Sequence, residues 1–270
     1  MTRIAIILRG ITYANYNHKY NITCNIDARN TSDSIINNII NPLRESGMEV
    51  DIFFVTYKTD IDKELVEIYK PVDIHYRDFK VIPHNKPIEG GFMLINQHEE
   101  GINLVEKYEK INNIKYDNIL ITRFDLYFYK KITDLNVDLN VFNYTFYHLV
   151  YNPKLFSVED NFILYPRKYN NIIKQCFSEI KKYNQTTHLL GKHLLMHGNT
   201  IKFLFGHKGS GEFDYPLYKF ARHLYGNSKR FNCIEDNMKI KMNRIDTLKD
   251  YAEQDGSIYF KKEYLEKIGF

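Results

Sequence analysis

Apolar residues in this chain fall into short runs separated by longer amphipathic stretches. RIAIILRG (3–10) is apolar until it closes on Arg9 and Gly10, the pattern of a buried strand. The stretch 11–30 is polar and rich in Tyr and Asn, and it reads as a loop. Thr31, Ser32 and Asp33 then offer N-caps to a helix over SIINNIINPLRESG, with Gly47 as its stop and Pro42 as a bend or break within it. MEVDIFFVTY (48–57) predicts a second strand, and DIDKELVEIYK (60–70) a short helix ended by Pro71. VDIHYRDF (72–79) alternates and predicts a third strand. Two prolines and a Gly-Gly pair mark 80–91 as a loop. Phe92, Ile95, Ile102, Val105 and Tyr108 recur at helical spacing as far as about Ile111, and NILITRFDLYF (118–128) supplies a fourth strand.

Strands alternating with helices predict an α/β fold built on a mostly parallel sheet, Rossmann-like and flanked by helices. Beyond 130 the pattern is more mixed. Strands are expected over 141–150, 161–166 and 200–205, helices over 167–183 and 188–198, and from 206 a tail that is loop-rich and then weakly helical. Neither a linker nor an internal repeat is evident, so one domain over 1–270 is expected, with a change of character near 130.

Composition narrows the function classes. The 270 residues are 44% hydrophobic and 26% charged, enough to build a core. A net charge of +4 is weak for a nucleic-acid binder and compatible with an anionic small molecule. Cys24, Cys176 and Cys233 lie far apart and form neither a disulfide framework nor a zinc knuckle. The first apolar run is too short for a signal peptide, and no membrane span is expected, which points to the cytoplasm. The bias toward Asn, Ile, Lys and Tyr fits an AT-rich genome.

Candidate chemistry starts with Arg123 and Asp125, one residue apart at the end of an apolar strand, where side chains two apart share a face. They either close an ion pair or present a site, with Asp125 holding a divalent metal and Arg123 gripping phosphate. In parallel α/β sheets ligands bind beyond the carboxyl ends of the strands, where Arg9 and Gly10 also lie. The wording ILITRFDLYF resembles the DxD region of GT-A-fold glycosyltransferases. More narrowly, it is similar to a strand of glycosyltransferase-like proteins from giant viruses, algae and bacterial surface-polysaccharide clusters. Arg123 stands where the first Asp of DxD would be.

That resemblance implies a GT-A-like domain, with 1–130 as the nucleotide-sugar half and 131–270 as the acceptor half. It implies a sugar moved from a nucleotide-diphosphate donor, such as a UDP-sugar, to a hydroxyl of a glycan or protein acceptor, in the host cytoplasm if the source is viral. Arg9, Gly10, Arg123 and Asp125 would bind donor. Asp125 and His207, in FGHKGSGEF, would hold Mn²⁺ or Mg²⁺. Asp160 in VEDNFILYP resembles the general base of the x-E-D signature. A built-in arginine could take over part of the metal's role. Bland alternatives stand beside each of these: a strand cap for 123 and 125, an acidic strand start at 159–160, a strand-to-loop turn at 9–10, a surface loop at 207. Asp27 and Arg29 are further possible contacts. His193 and His197 share a helical face, but no HExxH motif accompanies them. Tyrosines are too numerous to assign to a ligand. The competing expectation is a non-catalytic nucleotide-sugar or glycan-binding module on the same fold.

Overall fold

The computed structural model describes residues 1–18, 22–78, 87–145, 157–204, 218–220 and 258–260. Contacts divide the chain into two compact units, Met1–Asp134 with Leu217–Ser228 and Leu135–Pro216 with Lys229–Phe270.

The first unit opens with β1 (Arg3–Arg9), in which Ile4 to Leu8 are wholly buried. The stretch read as a loop is an antiparallel hairpin, β2 (Tyr13–His18) with β3 (Ile22–Asp27). Its polar sequence carries no apolar alternation, which is why pattern alone assigns it to a loop. Helix follows over α1 (Arg29–Ile35), a π-turn (Ile36–Ile40) and α2 (Asn41–Glu45). Ala28 is the N-cap, and its side chain makes no capping bond. The Thr31 hydroxyl instead bonds back to the carbonyl of Ala28, so the expected capping residues lie inside the helix. Pro42 does not break it. The Asn41 N–H reaches five residues back to Ile36 O, and this widened turn makes room for the proline ring.

Strand β4 (Glu49–Tyr57), helix α3 (Asp62–Tyr69) and strand β5 (Asp73–Arg77) follow as expected. Helix α3 ends at Lys70, in the left-handed conformation just before Pro71. Helix α4 (Pro87–Asn112) begins inside the stretch read as a loop, because proline at the first helical position needs no N–H. Strand β6 (Asn118–Arg123) and the short β7 (Leu126–Phe128) complete this run.

The strands β6, β1, β4 and β5 lie side by side in that order, all parallel. Both faces are covered. On one, Phe53 meets Tyr108 of α4 edge-to-face at 5.4 Å. On the other, Phe54 meets Tyr69 of α3 at 5.7 Å and Phe124 at 4.8 Å. Helix α4 comes so close to β1 that a Cβ on Gly101 would lie 2.7 Å from Ile7 Cγ2.

The second unit contains β8 (Phe142–Tyr144), β9 (Ile163–Pro166), α5 (Asn170–Lys182), α6 (Leu190–Met196) and β10 (Ile201–Phe203). Strand β8 pairs parallel with β10 and antiparallel with β9. Two later strands add to the units: β11 (Tyr218–Phe220) pairs antiparallel with β7, and β12 (Ile258–Phe260) with β10. The fold is α/β with a mostly parallel, mixed sheet. No helix among the described residues is long and apolar enough to cross a membrane.

Candidate functional site

The strand order creates a switch point. From β1 the chain moves outward to β4 and then β5, and α4 carries it back to β6 on the other flank of β1. Open α/β sheets bind ligands outside the carboxyl ends of their strands where the order reverses in this way. Here those ends are Arg9 of β1 and Arg123 of β6, which lie opposite each other in the parallel register. Gly10 follows at φ +108°, a backbone conformation that side chains disfavour, and a Cβ there would meet nothing within 4 Å. Its N–H donates to Val55 O at 3.1 Å, tying the turn to β4.

A third arginine completes the edge. Arg77 ends β5 and lies opposite Tyr57, the last residue of β4. Arg123, Arg9, Tyr57 and Arg77 project from the face that α4 covers, because Arg9 is in register with Val55 and Tyr57 is two residues further on. Arg9 is 1% exposed, and its Nη1 donates to Gln97 Oε1 of α4 at 3.3 Å. Gln97 Nε2 approaches the Tyr57 hydroxyl at 3.5 Å, and Arg77 Nη1 donates to that hydroxyl at 2.6 Å. The Arg77 guanidinium also lies 5.5 Å from the centre of the Tyr57 ring and 2.6 Å from Glu100 Oε2. An amide and a phenol thus hold two guanidiniums in place at the sheet edge.

Arg123 and Asp125 meet each other. Nε and Nη2 of the arginine donate to the two carboxylate oxygens, each at 2.7 Å. Asp125 is almost fully buried, and the Arg123 side chain is 18% exposed. A guanidinium fork set across both oxygens of Asp125 does not fit a divalent cation on the same carboxylate. Among the described residues no group of three His, Cys, Asp or Glu is placed to hold a metal ion. His207 lies outside the described residues.

In the second unit, Ser157, Val158, Glu159, Asp160 and Asn161 are all buried. Glu159 accepts from the backbone N–H and the hydroxyl of Thr145. Val158 is clamped from both sides: its N–H donates to His188 O at 2.8 Å, and its carbonyl lies 2.9 Å from His188 Nδ1. Asp160 therefore sits on a fixed backbone and is itself only 9% exposed.

Other candidates have structural partners. Arg29 forms a fork with Asp27 and reaches Glu64. The Arg29 guanidinium holds the Asp27 carboxyl below its ordinary range. His193 in α6 and His197, which caps its C-terminal end, both meet Glu179 of α5, at 2.8 and 3.0 Å. Burial pushes the Glu179 carboxyl up, but hydrogen bonds from both histidines more than offset this and hold it below its usual value.

The pattern of the sequence does not single out Tyr57, Arg77, Gln97 or Glu100. One signal was available for Arg77, since three of the four parallel strands β6, β1, β4 and β5 end on arginine. Compared with known proteins, the sequence matches no family model and no curated protein.

Proposed function

We propose that the chain is a glycosyltransferase that moves a sugar from a nucleotide-diphosphate donor to a hydroxyl acceptor. The observation that carries this reading is the pair Arg9 and Arg123, in register at the switch point of a parallel sheet, with Arg77 on the same face. Guanidinium forks match phosphate oxygens, and Gly10 leaves the backbone beside them open to close approach. The resemblance of 118–128 to GT-A glycosyltransferases supplies the reaction class.

In this reading Arg9 and Arg123 face the diphosphate. The acceptor hydroxyl gives its proton to a general base and its oxygen bonds to the anomeric carbon. The bond from that carbon to the diphosphate oxygen breaks, and the electron pair leaves with the diphosphate. The guanidiniums offset the charge that grows there, the part a metal plays where one is held. Asp125 orients Arg123.

A second reading, a nucleotide-sugar or glycan-binding module without turnover, draws support from the closed Arg123–Asp125 pair in place of a DxD metal site. A thermal-shift screen with UDP, GDP, CDP and dTDP and their sugars, each with and without Mn²⁺, tests both. Saturation at ~100 times the dissociation constant raises stability by about 2.7 kcal/mol. A shift with one nucleotide, followed by release of that nucleotide in the presence of acceptors, supports the enzyme. A shift without turnover supports the module. No shift with any donor sinks the enzyme and turns the reading to a glycan-binding module.

A further inference from the structure

The opposite edge of the same sheet carries a groove of about 610 Å³ whose lining includes Arg3, Arg44, Glu49, Asp51, Met48 and Tyr108. That is within the usual range for small-molecule sites, ~300–1,000 Å³. Its four charges sum to zero, and they are not all spent on one another. Arg3 and Glu49, the first residues of β1 and β4, form an ion pair. Neither Arg44 nor Asp51 forms a contact ion pair among the described residues, although the Asp51 charge also acts on Arg3. Arg44 gives one hydrogen bond to Val50 O at 3.3 Å, and Asp51 accepts one from the Tyr116 hydroxyl at 2.7 Å. The groove therefore offers one guanidinium and one carboxylate, with Tyr108 and Met48 as apolar lining. The last turn of α4 also lines it, and a helix C-terminus favours positive charge.

We propose that this groove binds a small zwitterion with an apolar body, of the amino-acid or short-peptide class, its carboxylate on Arg44 and its ammonium on Asp51. A simple anion would meet Glu49 and Asp51, and a simple cation would meet Arg3 and Arg44. Only a ligand carrying both charges leaves neither unanswered. The inference is independent of the activity assigned to the carboxyl edge.

Three probes isolate the two charges: L-phenylalanine, phenethylamine, which lacks the carboxylate, and 3-phenylpropionate, which lacks the ammonium. Each is titrated into the full chain and followed by amide chemical-shift changes in residues 44–51 and 108–116. L-Phenylalanine is expected to bind about fivefold more tightly than either analogue, the upper end for a solvent-exposed ion pair. Arg44→Gln should lower its affinity to that of phenethylamine, whose own binding stays unchanged. Asp51→Asn, which keeps an acceptor for Tyr116, should lower it to that of 3-phenylpropionate. The proposal is overturned if L-phenylalanine perturbs nothing in the groove, or binds no better than its analogues. It is equally overturned if both variants, folded by melting temperature, bind L-phenylalanine as the parent does.

Discussion

The two edges formed by the ends of the four parallel strands β6, β1, β4 and β5 treat charge differently. At the amino edge, Arg3 is neutralised by Glu49 on the next strand, both partly exposed. At the carboxyl edge, Arg9 is buried and meets an amide, Arg77 meets a phenol and Glu100, and only Arg123 is held by a carboxylate across both oxygens. The amino edge begins strands; the carboxyl edge aims guanidiniums through side chains of α4 and β4. The difference matters because placing an arginine where water cannot reach it is costly, and a fold tolerates that where the group meets a partner or a ligand. The carboxyl edge is also where the strand order reverses. Position and chemistry point to the same place there, while the amino edge has chemistry without a switch point.

The largest expected effect tests the Arg123–Asp125 pair. Asp125→Ala leaves the Arg123 guanidinium without its two short hydrogen bonds to that carboxylate in a mostly buried setting. Breaking such a pair from one side costs about 3–5 kcal/mol, read as a fall in the urea midpoint. The double variant Arg123→Met, Asp125→Leu removes both charges and should recover most of that loss, because an apolar pair of similar volume carries no desolvation penalty. If Asp125→Ala costs under about 1 kcal/mol, the pair behaves as a surface bridge and the contrast between the edges collapses.

Ligand binding sharpens the contrast next. Arg9→Met should weaken binding of UDP, or whichever nucleotide diphosphate the screen selects, by roughly 10-fold through loss of its positive charge near the site, because the guanidinium itself is 1% exposed and held by Gln97. Arg3→Gln at the other edge should leave that affinity unchanged. Equal losses from the two substitutions, measured by calorimetry, would place the anion site elsewhere.

Gly101 tests whether the relay beneath Arg9 depends on helix placement. A methyl at this position would sit 2.7 Å from Ile7 Cγ2 and 3.4 Å from Val55 Cγ2, both on stiff β-branched side chains. Gly101→Ala should therefore push α4 off β1 and cost about 1–3 kcal/mol, despite alanine's better helix propensity. Because Gln97 lies one turn earlier on the same helix face, the variant should also loosen nucleotide binding. A stabilised variant would show that the contact relaxes freely.

Much of this was legible in the sequence. Arg9 and Arg123 stand out because each closes an apolar run, and such runs are strands buried on both faces. Arg77 closes an alternating strand, where a charge every second residue reads as a solvent face, so its turn toward α4 was hidden. The hairpin 13–27 has no apolar periodicity to read. Partners such as Gln97 and Glu179 are distant in sequence from the residues they hold, at separations that only the strand order and helix packing decide. The bidentate closure of Arg123 on Asp125 was one of two readings the spacing allowed, and spacing alone does not choose between them.

The smallest expected effect lies at the surface of the same unit, where Arg29 grips Asp27 across two oxygens and reaches Glu64. The Arg29 guanidinium, hydrogen-bonded to Asp27, holds that carboxyl below its ordinary value. A carboxyl whose folded pKa is depressed stabilises the native state above its unfolded pKa, near 3.9, and loses that contribution as pH falls through the folded value. Arg29→Gln should thus lower stability near neutral pH and converge with the parent chain in acid, as pH falls through the folded Asp27 value and both states take up the proton. Solvent screening at this exposed pair keeps the difference small. Urea denaturation at pH 7 and in acid measures it. A gap that stays constant with pH would mean that Arg29 contributes through packing of its stem, and that its carboxylate partners add nothing to stability. A gap at pH 7 as large as the one expected for Asp125→Ala would put this pair in the same class as Arg123–Asp125, and would show that exposure does not separate the charges that fold the chain from those placed for a ligand.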